Sequence, residues 1–87
     1  MSVMRAKMQV VGVVVHKDAD GVITQENLTF LPVPKSGAYP SDGSDEDNSY
    51  ARWTPAGELK LTIQNPALLG RLPIGARFYV DFTPTEY

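Results

Sequence analysis

The side chains best suited to chemistry are a lone histidine and two groups of acids. In His16-Lys17-Asp18-Ala19-Asp20-Gly21-Val22-Ile23-Thr24-Gln25-Glu26-Asn27, acids stand at the third and fifth places of a calcium-loop spacing. Glycine follows at the sixth and an aliphatic residue at the eighth. Calcium takes about six to eight hard oxygens and needs a bidentate glutamate to close such a loop. Here histidine opens the loop and asparagine ends it, with Glu26 one place early. The competing expectation is a polar β-turn, because aspartate bonds its own backbone and glycine accepts positive φ. The second group is Asp42-Gly43-Ser44-Asp45-Glu46-Asp47-Asn48. Its carboxylates could hold a cation or meet a partner's basic patch, but a block of like charge is ordinarily solvated and mobile.

Covalent catalysis finds little to work with. There is no cysteine, so a Cys/His nucleophilic pair is excluded. A serine triad would have to use His16, and no serine lies in Gly-x-Ser-x-Gly. Ser41 and Ser44 fall in a loop-like stretch, a poor support for a preorganised nucleophile. Neither a Gly-x-x-x-x-Gly-Lys phosphate loop nor a Gly-x-Gly-x-x-Gly dinucleotide loop occurs. A spatial pair of carboxylates is left open by sequence alone. A catalytic group also needs a shaped cleft, so the expectation is a protein that is not an enzyme and takes no cofactor.

Nucleic-acid binding has aromatic candidates in Tyr50, Trp53 and Tyr79, with Arg52 and Arg77 beside them. Small β-barrels bind single strands by stacking bases on aromatics within a basic groove. The eight lysines and arginines are scattered, ten acids outnumber them, and the formal charge is −2. That balance argues against nucleic acid and anionic lipid as partners. Trp53 beside a tight turn is more often a core plug, and an outward Tyr79 also fits ordinary cross-strand packing.

These side chains must be carried by strands. Arg5 to His16 is rich in valine, which suits a pleated surface. Gly12 interrupts that run and predicts a bulge or bend. Met8 to Val15 is too short to span a bilayer as a helix, and His16-Lys17-Asp18 follows it where a leader would place small residues. Asp18-Ala19-Asp20-Gly21 predicts a turn. Val22 to Val33 forms a second strand with Leu28 and Phe30 on one face, ended by Pro32 and Pro34. Lys35 to Asn48 is a long acidic loop, and long loops in small domains are commonly functional or flexible.

Ser49 to Trp53 predicts a short strand. Thr54-Pro55-Ala56-Gly57 then turns the chain as a hairpin into Glu58–Gln64, where Leu59, Leu61 and Ile63 alternate with polar residues. Asn65-Pro66-Ala67-Leu68-Leu69-Gly70 has the cap, first-position proline and terminal glycine of one helical turn. After Pro73-Ile74-Gly75, a last strand places Phe78, Val80 and Phe82 inward and Arg77, Tyr79 and Asp81 outward. The expected fold is therefore all-β: a single domain of residues 1–87, a small five-stranded barrel or sandwich of SH3-like or OB-like form.

A chain of 87 residues buries a limited fraction of its surface, and without cysteine it has no disulfide or thiolate metal site to staple it. Self-association or a place in a larger assembly is the expected remedy.

The segments Trp53-Thr54-Pro55-Ala56-Gly57, Asn65-Pro66-Ala67 and Pro73-Ile74-Gly75-Ala76-Arg77-Phe78-Tyr79-Val80-Asp81-Phe82-Thr83-Pro84 resemble the C-terminal part of small β-rich proteins of tailed bacteriophages. Those proteins show a Thr-Pro-x-Gly turn, Asn-Pro-Ala, and an ending like Pro-Gly-x-x-Tyr-Tyr-Val-Asp-Phe-Thr-Pro. Ile74-Gly75 and Phe78-Tyr79 depart slightly from that ending. The likeness covers about the last third of the chain, on turn and strand residues that carry fold rather than chemistry. It implies a phage structural protein such as a capsid decoration (cement) protein, found in the virion and contacting the major capsid protein. The other function class is a host-directed binding module in the infected cell's cytoplasm, which binds nucleotide or single-stranded nucleic acid or inhibits a defence protein. Candidate partner-binding residues are Tyr50, Arg52, Trp53, Tyr79, Asp45, Glu46 and Asp47. No residue is assigned to catalysis, to a cofactor or to a metal.

Overall fold

The computed structural model describes residues 2–86. Strands β1 (Met4–Lys17), β2 (Ile23–Pro32), β3 (Leu59–Ile63) and β4 (Arg77–Phe82) follow one another along the chain. They form one antiparallel sheet in the order β3-β2-β1-β4. The valine run and Gly12 behave as their residue types dictate. β1 is long, and its register against β2 slips between Val10 and Gly12. The bulge lets the apolar face continue, with Val10 opposite Phe30 and Val13 opposite Leu28. Asp18 makes the tight turn between β1 and β2. Its Oδ1 accepts the Asp20 N–H at 2.9 Å and the Val22 N–H at 3.0 Å, so the calcium-like spacing is used as an Asx turn.

One face of the sheet carries the core: Ala6, Met8 and Val10 from β1, Leu28 and Phe30 from β2. Val13, Leu59, Ile63, Leu72 and Val80 pack around them. Burying each large apolar side chain contributes about 1.5–3 kcal/mol. Two connections cross this face. Residues 33–58 lead from β2 to β3, and residues 64–76 run from one sheet edge to the other. On the second, the Gly70 N–H donates to Glu26 Oε1 at 2.8 Å, which anchors the crossover over a buried carboxylate.

The structure corrects three expectations. Among the described residues there are four strands and no fifth: Ser49–Trp53 is reduced to an isolated bridge between Ser44 and Arg52. The hairpin expected around Trp53–Gly57 does not form, because Leu59–Ile63 takes β2 as its partner. Asn65–Gly70 is a pair of hydrogen-bonded turns and not a helix, closed by Leu68 N–H to Asn65 C=O and Arg71 N–H to Leu68 C=O. Asn65 Oδ1 still accepts the Ala67 N–H at 3.0 Å, so the cap chemistry is present without a helix behind it.

The sheet is also open, not barrel-like. Its edges are β3 and β4, and the molecule measures 56 × 33 × 17 Å. The radius of gyration is 15.7 Å, against about 12 Å for a compact chain of this length. The excess comes from shape: β4 leaves β1 at Gln9, and β3 leaves β2 at Glu26. Past Gln9 the sheet projects without β4 as an arm: it is three-stranded as far as Val15, Glu26 and Ile63, and two-stranded only at its tip, His16–Lys17 and Ile23–Gln25, before the Asp18–Gly21 turn. An incomplete cover explains why the inward residues Leu61, Phe78 and Phe82 are exposed although they lie on the core face.

Candidate interaction surface

The acidic loop is built into the sheet. β2 ends at Pro32, so the first part of β1 has lost its strand neighbour on that side. The loop supplies substitutes. Val33 N–H donates to Lys7 C=O at 2.8 Å, and Ser49 N–H to Arg5 C=O at 2.9 Å. Lys7 N–H donates to Asn48 Oδ1 at 2.9 Å, and Arg5 N–H to Ser49 Oγ at 2.9 Å. Asn48 Nδ2 donates to Val33 C=O at 2.7 Å, and the residue is fully buried. A side-chain amide has the donor and acceptor of a peptide group, so Asn48 completes the ladder where no strand is available.

Asp45 holds that asparagine in place. Its Oδ2 accepts from Lys35 N–H and Asn48 Nδ2, and its Oδ1 from the N–H groups of Asp47 and Asn48. Burial by itself would raise its pKa. The hydrogen bonds from the Asn48 side chain and from the three backbone N–H groups outweigh this and set it below the ordinary carboxylate range. At Asp45 and Asn48 the solvated loop expected from the run of charge is therefore replaced by a buried, hydrogen-bonded one. Glu46 is the outward member and pairs with Lys35 at 2.9 Å. Asp45 accepts the N–H groups two and three residues on, as aspartate does in Asx turns, so this hub had a local signal in the sequence.

On the polar face of the sheet, Asp47 faces β1 and β4. It accepts from the Tyr79 hydroxyl at 2.9 Å and lies 3.4 Å from Lys7 Nζ. The bond to Asp47, and its negative charge, raise the Tyr79 phenol pKa. The Arg5 guanidinium sits 4.4 Å from the Tyr79 ring centroid and binds Asp81 through both carboxylate oxygens, at 2.7 and 3.2 Å. Arg5 and Asp81 are direct cross-strand partners. Sequence reasoning missed this pair because it is set by register between strands 76 positions apart.

Trp53 and Arg52 form a separate corner. Arg52 Nε donates to Asp42 C=O at 3.0 Å. Trp53 has φ of 60°, a left-handed backbone that costs a non-glycine residue about 1–3 kcal/mol. Its N–H donates to Gly43 C=O at 2.7 Å, its ring meets Tyr39 edge-on at 5.8 Å, and its indole lies on Gly43. The core-plug expectation does not hold, since Trp53 is 49% exposed. Tyr50 stands at a third place, lining an apolar cleft of about 160 Å³ with Met4, Ala6, Met8 and Phe82. Burial, and then the Asp45 charge, raise its phenol pKa.

The structure thus joins Asp45, Asp47 and Tyr79 through one loop, while Tyr50 and the Arg52–Trp53 pair lie apart. Among the described residues, no group of three or more His, Cys, Asp or Glu side chains is placed to hold a metal ion. His16 Nε2 lies 3.1 Å from Asn27 Nδ2, within a row of amides on the polar face. Comparison with known protein families, curated proteins and solved structures finds no match.

Exposed apolar side chains also run along the arm. Val11, Val14, Val15, Val22 and Ile23 are all exposed there. They occur on both sides of the ribbon, since Val14 pairs with Asn27 on the polar face and Val15 with Glu26 on the core face.

Proposed function

We propose that this chain is a non-enzymatic assembly protein: a phage virion component of the capsid-decoration kind, acting through protein–protein contacts. The observation that carries this reading is the projecting arm, along which Val11, Val14, Val15, Val22 and Ile23 are exposed. Its tip is only two-stranded, a form that is marginally stable alone in water. An arm projecting from a thin sheet suits insertion between subunits of a larger structure, which would supply the missing cover. The virion setting rests on the likeness of Trp53–Gly57, Asn65–Ala67 and Pro73–Pro84 to small phage proteins.

The test is co-purification with phage particles, repeated with Val14→Asp/Val15→Asp. The wild type is expected in purified particles at fixed stoichiometry, and the double variant is expected to fold but be lost from them. Absence of the wild type from particles ends the virion reading. An unaltered yield of the variant removes the arm's role. Salt-sensitive binding to oligonucleotides by a protein absent from particles would favour the host-directed alternative.

A further inference from the structure

We propose that a second copy of this chain adds to the free edge of β4, in antiparallel register centred on Tyr79. The edge groups follow from the pairing already described. Arg5 and Lys7 direct their backbone N–H and C=O towards the loop, away from β4. The even-numbered residues of β1 therefore face β4, as the Val10 N–H to Ala76 C=O bond shows. Their partners Phe78, Val80 and Phe82 are bonded to β1. The N–H and C=O groups of Arg77, Tyr79 and Asp81 consequently point to the open side of the sheet.

A two-fold axis at Tyr79 makes these outward groups the hydrogen-bonded pairs of a new ladder. Arg77 then lies opposite Asp81 of the second copy, and Asp81 opposite its Arg77. The charges at this edge are of opposite sign and equidistant from Tyr79, so they oppose other registers and reward this one. Asp81 is held in position by Arg5, and a carboxylate retains acceptor sites after one bidentate contact. Arg77 is exposed and forms no ion pair among the described residues. On the other face, Phe78 comes opposite Val80 of the second copy, which covers part of the apolar surface left open at Phe78 and Phe82.

The opposite edge of the sheet is guarded differently. β3 carries Lys60, exposed and near its centre, a common device against edge pairing. Between Arg77 and Phe82 there is neither lysine nor proline.

This inference deepens the assembly reading by naming one partner, a second copy at β4, and leaves the arm for the other. The chain has no cysteine, so single-cysteine variants report one contact each. Sedimentation of the wild type should show a dimer, and Arg77→Asp should weaken it by about tenfold or more through repulsion from Asp81. Tyr79→Cys should crosslink rapidly under mild oxidation, because paired Cα atoms at a two-fold lie about 5.5 Å apart. Thr62→Cys, on β3, should not. A wild type that stays monomeric at the concentration of an NMR sample overturns the proposal. So does crosslinking through Thr62→Cys in preference to Tyr79→Cys, or a dimer indifferent to Arg77→Asp. Particle binding measured separately through the arm variants shows whether the assembly reading survives that loss.

Discussion

Asn48 bridges Lys7 and Val33: it accepts the Lys7 N–H at 2.9 Å and donates to the Val33 C=O at 2.7 Å from a fully buried position. This one side chain ties the end of β2 to the start of β1 where no strand lies between them. It also receives the acidic loop, because Asp45 binds both its backbone N–H and its amide. Asn48 is thus the buried member of a set of attachments between the loop and β1 that also includes Val33 and Ser49.

Asn48→Ala should destabilise the protein strongly. It leaves the Lys7 N–H and Val33 C=O without their partner, and each buried unsatisfied group costs about 1–3 kcal/mol. The midpoint of urea unfolding should fall by an amount matching about 2–4 kcal/mol, with the slope unchanged. A shift below about 0.5 kcal/mol would show that the amide is not the joint described above.

Gly43→Ala should displace Trp53. A methyl group there would lie 2.6–2.8 Å from indole atoms, and Gly43 has φ of 75°. Both effects act against the substitution. Because Trp53 is the sole tryptophan, its emission reports the change directly. A red shift and a lowered thermal midpoint are expected; an unaltered spectrum would contradict the indole's seat on Gly43.

Stability should fall on acidification. Asp42, Asp45, Glu46 and Asp81 all have folded pKa values below their ordinary ones. The unfolded chain then binds protons first as the pH drops. Their contribution is present above the ordinary carboxylate pKa of about 4 and is lost as the pH falls through the lowered folded values. Urea midpoints measured from pH 7 down to acid should decline below about pH 5. Asp81→Asn should shallow that decline by removing the carboxylate that binds Arg5. A wild-type midpoint that is flat with pH would refute the assignment.

Lys60→Val should convert β3 into an adhesive edge. Leu59, Leu61 and Ile63 already line one face of that strand, and the variant adds a β-former to the other. Concentration-dependent aggregation by light scattering is expected, with native far-ultraviolet dichroism at low concentration. Equal solubility of variant and wild type would show that Lys60 does not guard the edge.

Backbone exchange should divide β1 in two. Amides of Ala6, Met8 and Val10 sit in the buried core and should be protected, whereas those past the last β4 pairing residue should exchange sooner where they face the open side of the arm. Uniform protection from Met4 to Lys17 in the free protein would show that the arm is not marginal. Slowed exchange confined to the arm on binding particles would map the partner contact.

The sequence alone determined β1 with its bulge and turn, and the faces of β3 and β4. Valine density marked β1, Gly12 its bulge, Asp18–Gly21 its turn, and strict alternation fixed which residues of Leu59–Ile63 and Arg77–Phe82 share a face. These properties depend on neighbours a few positions away, so they are legible in a single chain. Only the tertiary structure decided which strand sits beside which. Alternation names a face and not a neighbour, so nothing local barred Ser49–Trp53 from pairing with β3 or the sheet from closing. The same limit hid Asn48 and Arg5–Asp81, whose partners come from register across the sheet. The arm and the free β4 edge are likewise consequences of where β4 and β3 stop, which the alternation of their own residues does not specify.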